Sequence, residues 1–322
     1  MKITTASAPG KCILFGEHAV VYGVPAIACA INVRSRCNIS YLETNHIKLK
    51  FLSYNQIHTF ENLNALKKEI PEKFRQFGLL LHLLKERYKT PLKNIKISIS
   101  SPLFPSAGLG SSASTIIAYI AALNDFYELS LEPQTISELA YLCEKHVHGK
   151  PSGIDNTICV FGNVIYYQEG RFERITIPYD LKILVTYTGR EHNTKEAIEK
   201  VGRFKKEHEN RFTQILKEIN QIVEKGKQKL IEGDLEEIGV LMNQNQAFLT
   251  ELGISDPAID EINRLTLNNG AYGSKLTGAG QGGCVITLGP DDILDEISRK
   301  LKHKNYNCFL TEIDKKGVII EG

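Results

Sequence analysis

Ser101-Pro-Leu-Phe-Pro-Ser-Ala-Gly-Leu-Gly-Ser-Ser-Ala113 is the stretch on which the reading of this chain turns. Upstream, Lys93–Ser100 alternates, with Ile95, Ile97 and Ile99 on one side and Lys96 and Ser98 on the other. That pattern predicts a half-buried strand. Downstream, an apolar helix runs to about Phe126. A glycine-rich loop feeding a helix N-terminus suits an anion. Glycine allows close backbone approach, and the first N–H groups of the helix lack partners. The plainer reading is a capped helix start, with Ser111 and Ser112 as caps. No GxxxxGK[ST] string occurs in the chain. The GxGxxA pattern at Gly108, Gly110 and Ala113 is only formally a dinucleotide fingerprint. Seven residues separate Ser100 from Gly108, and the acidic residues further on, Asp125 and Glu128, fall in or at the end of the helix.

Three other segments carry polar residues in apolar surroundings. Ala8-Pro-Gly-Lys-Cys-Ile-Leu-Phe-Gly-Glu-His-Ala-Val-Val-Tyr-Gly23 holds Lys11, Glu17 and His18. A buried Lys or Glu is costly unless paired. These residues therefore form either a core ion pair or the wall of a polar site. Glu144-Lys-His-Val-His-Gly-Lys-Pro-Ser-Gly-Ile-Asp155 suggests zinc through Glu144, His146 and His148. On a helix end, however, HxH spacing points the two rings apart, so zinc is set aside. Asp155 follows Gly153 in a turn that can lodge a carboxylate beside a substrate or make an Asx-turn. Gly273-Ser-Lys-Leu-Thr-Gly-Ala-Gly-Gln-Gly-Gly-Cys284 has five glycines within residues 273–283, more than a β-turn needs.

Between these landmarks the chain alternates strands and helices without a regular βα repeat, which predicts an α+β fold. Strands are expected at Val24–Ile31, Arg36–Leu42, His46–Leu52, Ile158–Phe161, Asn163–Gln168, Arg171–Pro178, Leu181–Thr186, Gly283–Leu288, Tyr306–Thr311 and Gly317–Ile320. Helices are expected over Leu63–Tyr88 with a break at Pro71, and over Gln134–His146, Thr194–Gly253, Pro257–Asn268 and Asp291–Lys302. A length of 322 residues suggests two domains. The boundary is placed near 170–180, giving 1–175 and 176–322.

Composition bounds the class. With 42% hydrophobic and 24% charged residues, the chain is neither disordered nor membrane-spanning. A net charge of +2 argues against a broad basic face for nucleic acid. Seven cysteines, an odd number without a CxxC pair, read as reduced buried thiols. A cytoplasmic location, no membrane partner and no nucleic-acid partner are therefore expected. A homodimer is left open.

Taken together, in this order and spacing, the three glycine-rich segments resemble the motifs of the GHMP family of small-molecule kinases. Within it, the Ala8–Gly23 segment and the Lys-Pro-Ser-Gly-Ile-Asp155 turn look like the branch that phosphorylates mevalonate in the route to isoprenoids. The resemblance covers the chain from about Ser7 to Cys284. It implies an N-terminal domain like the second domain of ribosomal protein S5, a ferredoxin-like C-terminal domain, and a cleft between them. The implied reaction moves the ATP γ-phosphoryl group to the 5-hydroxyl of mevalonate. The alternative is a kinase of this family acting on another small hydroxylated acid or sugar.

The resemblance also implies roles. Pro105, Ser106, Ala107, Gly108, Leu109, Gly110, Ser111 and Ser112 would cradle the ATP phosphates, and Ser112 and Glu144 would hold Mg2+. Asp155 would take the hydroxyl proton, and Lys11 would steady the developing charge. Glu17, His18 and Thr194 would meet the substrate. Thr277, Gly278, Ala279 and Gly280 form the third motif. Adenine contacts are expected around 46–61. Two positions depart from the family pattern. Ser106 replaces a usual glycine, which a phosphate loop should tolerate. Gln281 replaces another, and it would cost about 1 kcal/mol or more if the backbone there needs a positive φ.

Overall fold

The computed structural model describes residues 2–148 and 151–321. Gly149 and Lys150, in the segment before Asp155, and the His148 side chain lie outside the described residues.

The N-terminal half begins with β1 (Ile3–Phe15) and β2 (Ala26–Tyr41), then β3 (Ile47–Phe51) and β4 (Gln56–Phe60). Helices α1 (Leu63–Glu69) and α2 (Arg75–Tyr88) follow, interrupted after Ile70 where Pro71 was expected to break the helix. Next come β5 (Ile95–Ser100), α3 (Ser111–Tyr127), α4 (Pro133–His148), α5 (Ile154–Phe161), β6 (Val164–Gln168) and β7 (Arg171–Ile175). The C-terminal half has β8 (Lys182–Tyr187), α6 (Thr194–Glu207), α7 (Glu209–Glu232), α8 (Leu235–Glu251) and α9 (Pro257–Asn268). It continues through β9 (Gly273–Thr277), β10 (Cys284–Leu288), α10 (Asp291–His303), β11 (Asn307–Glu312) and β12 (Ile319–Glu321).

Among the described residues there are two sheets. The first runs β12-β1-β2-β5-β3-β4, with β6 on the other end of the long β2 and β7 beside β6. Only the β3–β5 pair in it is parallel. The second runs β11-β8-β10-β9, antiparallel throughout. In chain order that is 4-1-3-2, the ferredoxin-like arrangement the resemblance implies. The chain does not end in the second sheet. After β11 it returns, and β12 pairs with β1. Arg34 holds this return, donating to the Asp314 carboxylate and to the carbonyls of Ser7 and Gly317.

The apolar run within Val24–Ile31 is explained by burial on both faces. Ala26, Ala28 and Ala30 face a core shared with α2–α5, and Ile27, Cys29 and Ile31 face a second core shared with the C-terminal half. The second core therefore joins the two halves. The loop ends around it form one site.

Several sequence expectations need correction. Ile158–Phe161 is not a strand but the end of α5. Its β-branched residues suggested a strand, yet Ile154 and Ile158 lie four apart on one buried helical face. Asp155 consequently sits in the first turn of a helix. Ile3–Phe15 and Gly273–Thr277 are strands that alternation does not reveal, because almost all of their residues are buried. Thr194–Gly253 is three helices, divided at His208 and at Gly233–Asp234. All seven cysteines are free and buried. Among the described residues, no helix is long and apolar enough to cross a membrane.

Candidate active site

The three glycine-rich segments meet. β1 carries Lys11 beside the 105–110 loop, where the Lys11 N–H donates to Leu109 O at 2.9 Å. A Cβ built at Gly110 would lie 2.8 Å from Lys11 Cγ and 3.6 Å from Asp155 Oδ2, and φ there is +67°. No side chain fits between the loop and these two residues. Lys11 Nζ is 3.0 Å from Asp155 Oδ1, with the lysine side chain 4% exposed and the aspartate 26%. The pair thus has a buried cationic end and a carboxylate that opens to solvent. Burial alone would lower the lysine's pKa, but the facing Asp155 carboxylate outweighs it and holds the ammonium above its usual range.

The loop rests on the third segment. A Cβ at Gly108, where φ is +80°, would come within 2.3 Å of Thr277 O. Gly108→Ala is therefore expected to push the loop off its seat. Stability should fall by about 1–3 kcal/mol, read from urea unfolding. An unchanged stability would show that the loop does not need this contact. Ser106 has φ +47°, and its carbonyl accepts the His192 N–H at 2.7 Å. Helix α3 starts at Gly110 without a side-chain cap, so the expected capping by Ser111 and Ser112 does not occur. Ser111 Oγ instead faces Ser101 Oγ at 3.4 Å, and Ser112 Oγ pairs with the Gln76 side chain at 3.3 Å. An uncapped helix start behind a glycine loop is a place for an anion.

Glu144 lies on α4, within electrostatic reach of Asp155 and Lys11, with Oε2 buried and without a partner. Burial, then the Asp155 charge, push its pKa up to about 8 against the pull of Lys11. A buried carboxyl with an orphaned oxygen beside a second carboxylate fits a divalent cation. The Ser112 hydroxyl makes only long bonds to Gln76 and is free to exchange partners.

The first segment turns sharply at Gly16–His18. Glu17 has 0% side-chain exposure and pairs with Lys275 of β9, also 0% exposed, so it does not reach solvent directly. Burial pushes both pKa values toward the neutral form, Glu17 up and Lys275 down, against their mutual attraction. Lys275 is a functional residue that no sequence motif singles out. The signal available was a lysine inside a segment too apolar and too glycine-rich to be surface. His18 is half-buried, with φ +60°. Its Nε2 lies 2.8 Å from Ala279 O, which can only accept, so Nε2 carries the proton. Burial lowers the His18 pKa, against the Ala279 bond and with the help of the Lys275 charge. Thr277 Oγ accepts the Ile13 N–H at 2.8 Å. Thr194 is exposed at the start of α6. Its segment joins the 105–110 loop through the N–H of His192.

The backbone shape expected to strain Gln281 is present, at φ +55°. The side chain offsets it, donating through Nε2 to Gly253 O at 3.0 Å and Ser255 O at 2.9 Å.

Known proteins share this fold. Residues 75–163 match the GHMP kinases N terminal domain, and residues 227–308 match the GHMP kinases C terminal family. The mevalonate kinase of Thermococcus gammatolerans is 36% identical over 98% of both chains. The crystal structure of the Methanococcus jannaschii mevalonate kinase superposes with a TM-score of 0.87 at 30% identity, covering 96% of this chain and 98% of that one. That of the L. major enzyme in complex with R-mevalonate gives 0.83 at 28% identity, over 96% and 95%. The agreement runs through both halves and nearly the whole length, and the chain belongs to the mevalonate kinase family of GHMP kinases.

Proposed function

We propose that this protein phosphorylates the 5-hydroxyl of mevalonate with ATP, giving 5-phosphomevalonate and ADP. The observation that carries the reading is the Lys11–Asp155 pair, half open to solvent and backed directly by Gly110 of the phosphate loop. Asp155 accepts the hydroxyl proton as the hydroxyl oxygen forms its bond to the γ-phosphorus. The bond from that phosphorus to the β–γ bridging oxygen breaks, and its electron pair leaves with ADP. Lys11, kept protonated by Asp155, lowers the pKa of the attacking hydroxyl and steadies charge on the moving group. The 105–112 loop and the start of α3 hold the phosphates through backbone N–H groups. Glu144 and Ser112 are the residues that would hold Mg2+, which supplies charge neutralisation on the phosphate oxygens. His18 meets the substrate's polar groups through its unprotonated Nδ1, and Thr194, exposed at the start of α6, is assigned to the same substrate. Glu17 acts from beneath, by holding Lys275 and the turn that presents His18.

The test is kcat/KM with Mg2+ and ATP for mevalonate, phosphomevalonate, homoserine and galactose. Mevalonate should exceed each of the others by about a hundredfold or more. Equal or faster turnover of another acceptor would replace the substrate assignment.

Glu144→Gln separates the metal role from stability. In the free protein Glu144 holds its proton up to about pH 8, above the ordinary carboxyl value of 4.5. Charging it therefore costs stability increasingly as pH rises from 4.5 to 8. The Gln variant is expected to fold as well as wild type at pH 5 and to melt higher at pH 8–9. Its kcat should fall about a hundredfold at ordinary Mg2+. A variant that melts lower at pH 9, or turns over normally, would contradict the assignment.

A further inference from the structure

Gln281 stands where the family's third motif commonly has glycine, and every hydrogen-bonding group of its side chain is engaged. Nε2 donates to Gly253 O and Ser255 O, and Oε1 accepts from Lys200 Nζ. Its own N–H donates to Ile254 O at 2.9 Å. The neighbouring glycines leave no slack. A Cβ at Gly280 would lie 2.4 Å from Ile254 O, and one at Gly282 would lie 2.9 Å from Glu191 O. The loop is thus pressed between the turn after α8 and the segment before α6.

Lys200 belongs to α6 and also pairs with Glu196 at 3.2 Å. Helix α6 has 14 residues but buries only Ala197 and Val201, and Ile198 is 57% exposed. Beyond these, Phe204 at the far end packs partly buried against the second core, so the start of the helix has little apolar contact and a polar tether there weighs more. The segment leading into α6 is the one whose His192 N–H reaches Ser106 O in the phosphate loop.

We propose that Gln281 is a positioning residue. With Lys200 it pins α6 to the third glycine loop, and so orders the acceptor side of the cleft before substrate enters. The proposal rests on the reading of the cleft as a phosphotransfer site. With glycine at 281 the loop keeps its backbone shape and α6 is released. Ordering α6 then falls to acceptor binding, which weakens, while ATP binding and the chemical step are little changed.

The experiment compares Gln281→Gly, Lys200→Met and the double variant. Glycine accepts φ +55° without strain, so folding is not at risk. KM for mevalonate should rise roughly threefold to tenfold in each single variant, with kcat and KM for ATP within about twofold. The double variant should be no worse than either single one, because both break the same tether. Amide hydrogen exchange over residues 194–207 of the free protein should speed up about fivefold or more in each. Unchanged exchange, a parallel rise in both KM values, or multiplicative effects would overturn the proposal. A wild type that does not phosphorylate mevalonate would end the functional reading instead. The exchange comparison would then still decide on the tether.

Discussion

Asp155→Asn is expected to lower kcat by about a thousandfold or more while ATP still binds. The substitution keeps the size of the side chain and its place in the first turn of α5, so the fold is not at issue. It removes the carboxylate proposed to accept the proton, and with it the charge facing Lys11 at 3.0 Å. Burial of the Lys11 ammonium is then no longer opposed by its main counter-charge, and its pKa falls from the raised value. Two losses follow from one change, which is why the effect should exceed that of removing a base alone. Calorimetric titration with ATP should give an affinity within a few-fold of wild type, because the loop and the α3 terminus are untouched. Turnover near wild type would remove Asp155 from the chemistry. Loss of ATP binding would place it in nucleotide recognition instead.

Lys275→Met is expected to be the most damaging change to stability, at about 3–5 kcal/mol by urea unfolding. It leaves the Glu17 carboxylate fully buried without its cationic partner. Glu17 Oε2 already lacks a hydrogen bond, so the pair is not surrounded by substitutes. The damage should concentrate at the Gly16–His18 turn and at the third glycine loop, the two elements the pair joins. The double variant Glu17→Met/Lys275→Met should recover much of the loss, since no buried charge remains. A single variant as stable as wild type would mean that Glu17 is neutral and satisfied without the lysine. A double variant no better than the single one would mean that packing, not charge, sets the cost.

The sequence displayed the parts of the site better than their partners. Gly108, Gly110, Lys11 and Asp155 stand in short motifs whose composition is unusual for ordinary loops. The pairing of Lys11 with Asp155 joins residues far apart in sequence, which no local pattern reveals. The same holds for Glu17, whose candidate core partner in the sequence was Lys11 and whose partner in the fold is Lys275 of β9. Strands β1 and β9 were hidden because burial on both sides erases the alternation that marks a strand. Helix α5 was misread because Ile158 and Val160 are as common in strands as in buried helices. Gln281 was legible as a departure and as a source of strain. Its compensation required knowing that Lys200 and the 253–255 turn surround it.

The central claim is that γ-phosphoryl transfer occurs to a primary hydroxyl held at Asp155 and Lys11. Phosphorus NMR of a mixture of the protein, Mg2+, ATP and mevalonate reads this most directly. The ATP γ resonance should disappear one for one with growth of a phosphomonoester split into a triplet by two C5 protons, and Asp155→Asn should abolish that growth. Inorganic phosphate in place of the ester, an ester without the triplet, or equal growth with Asp155→Asn would contradict it.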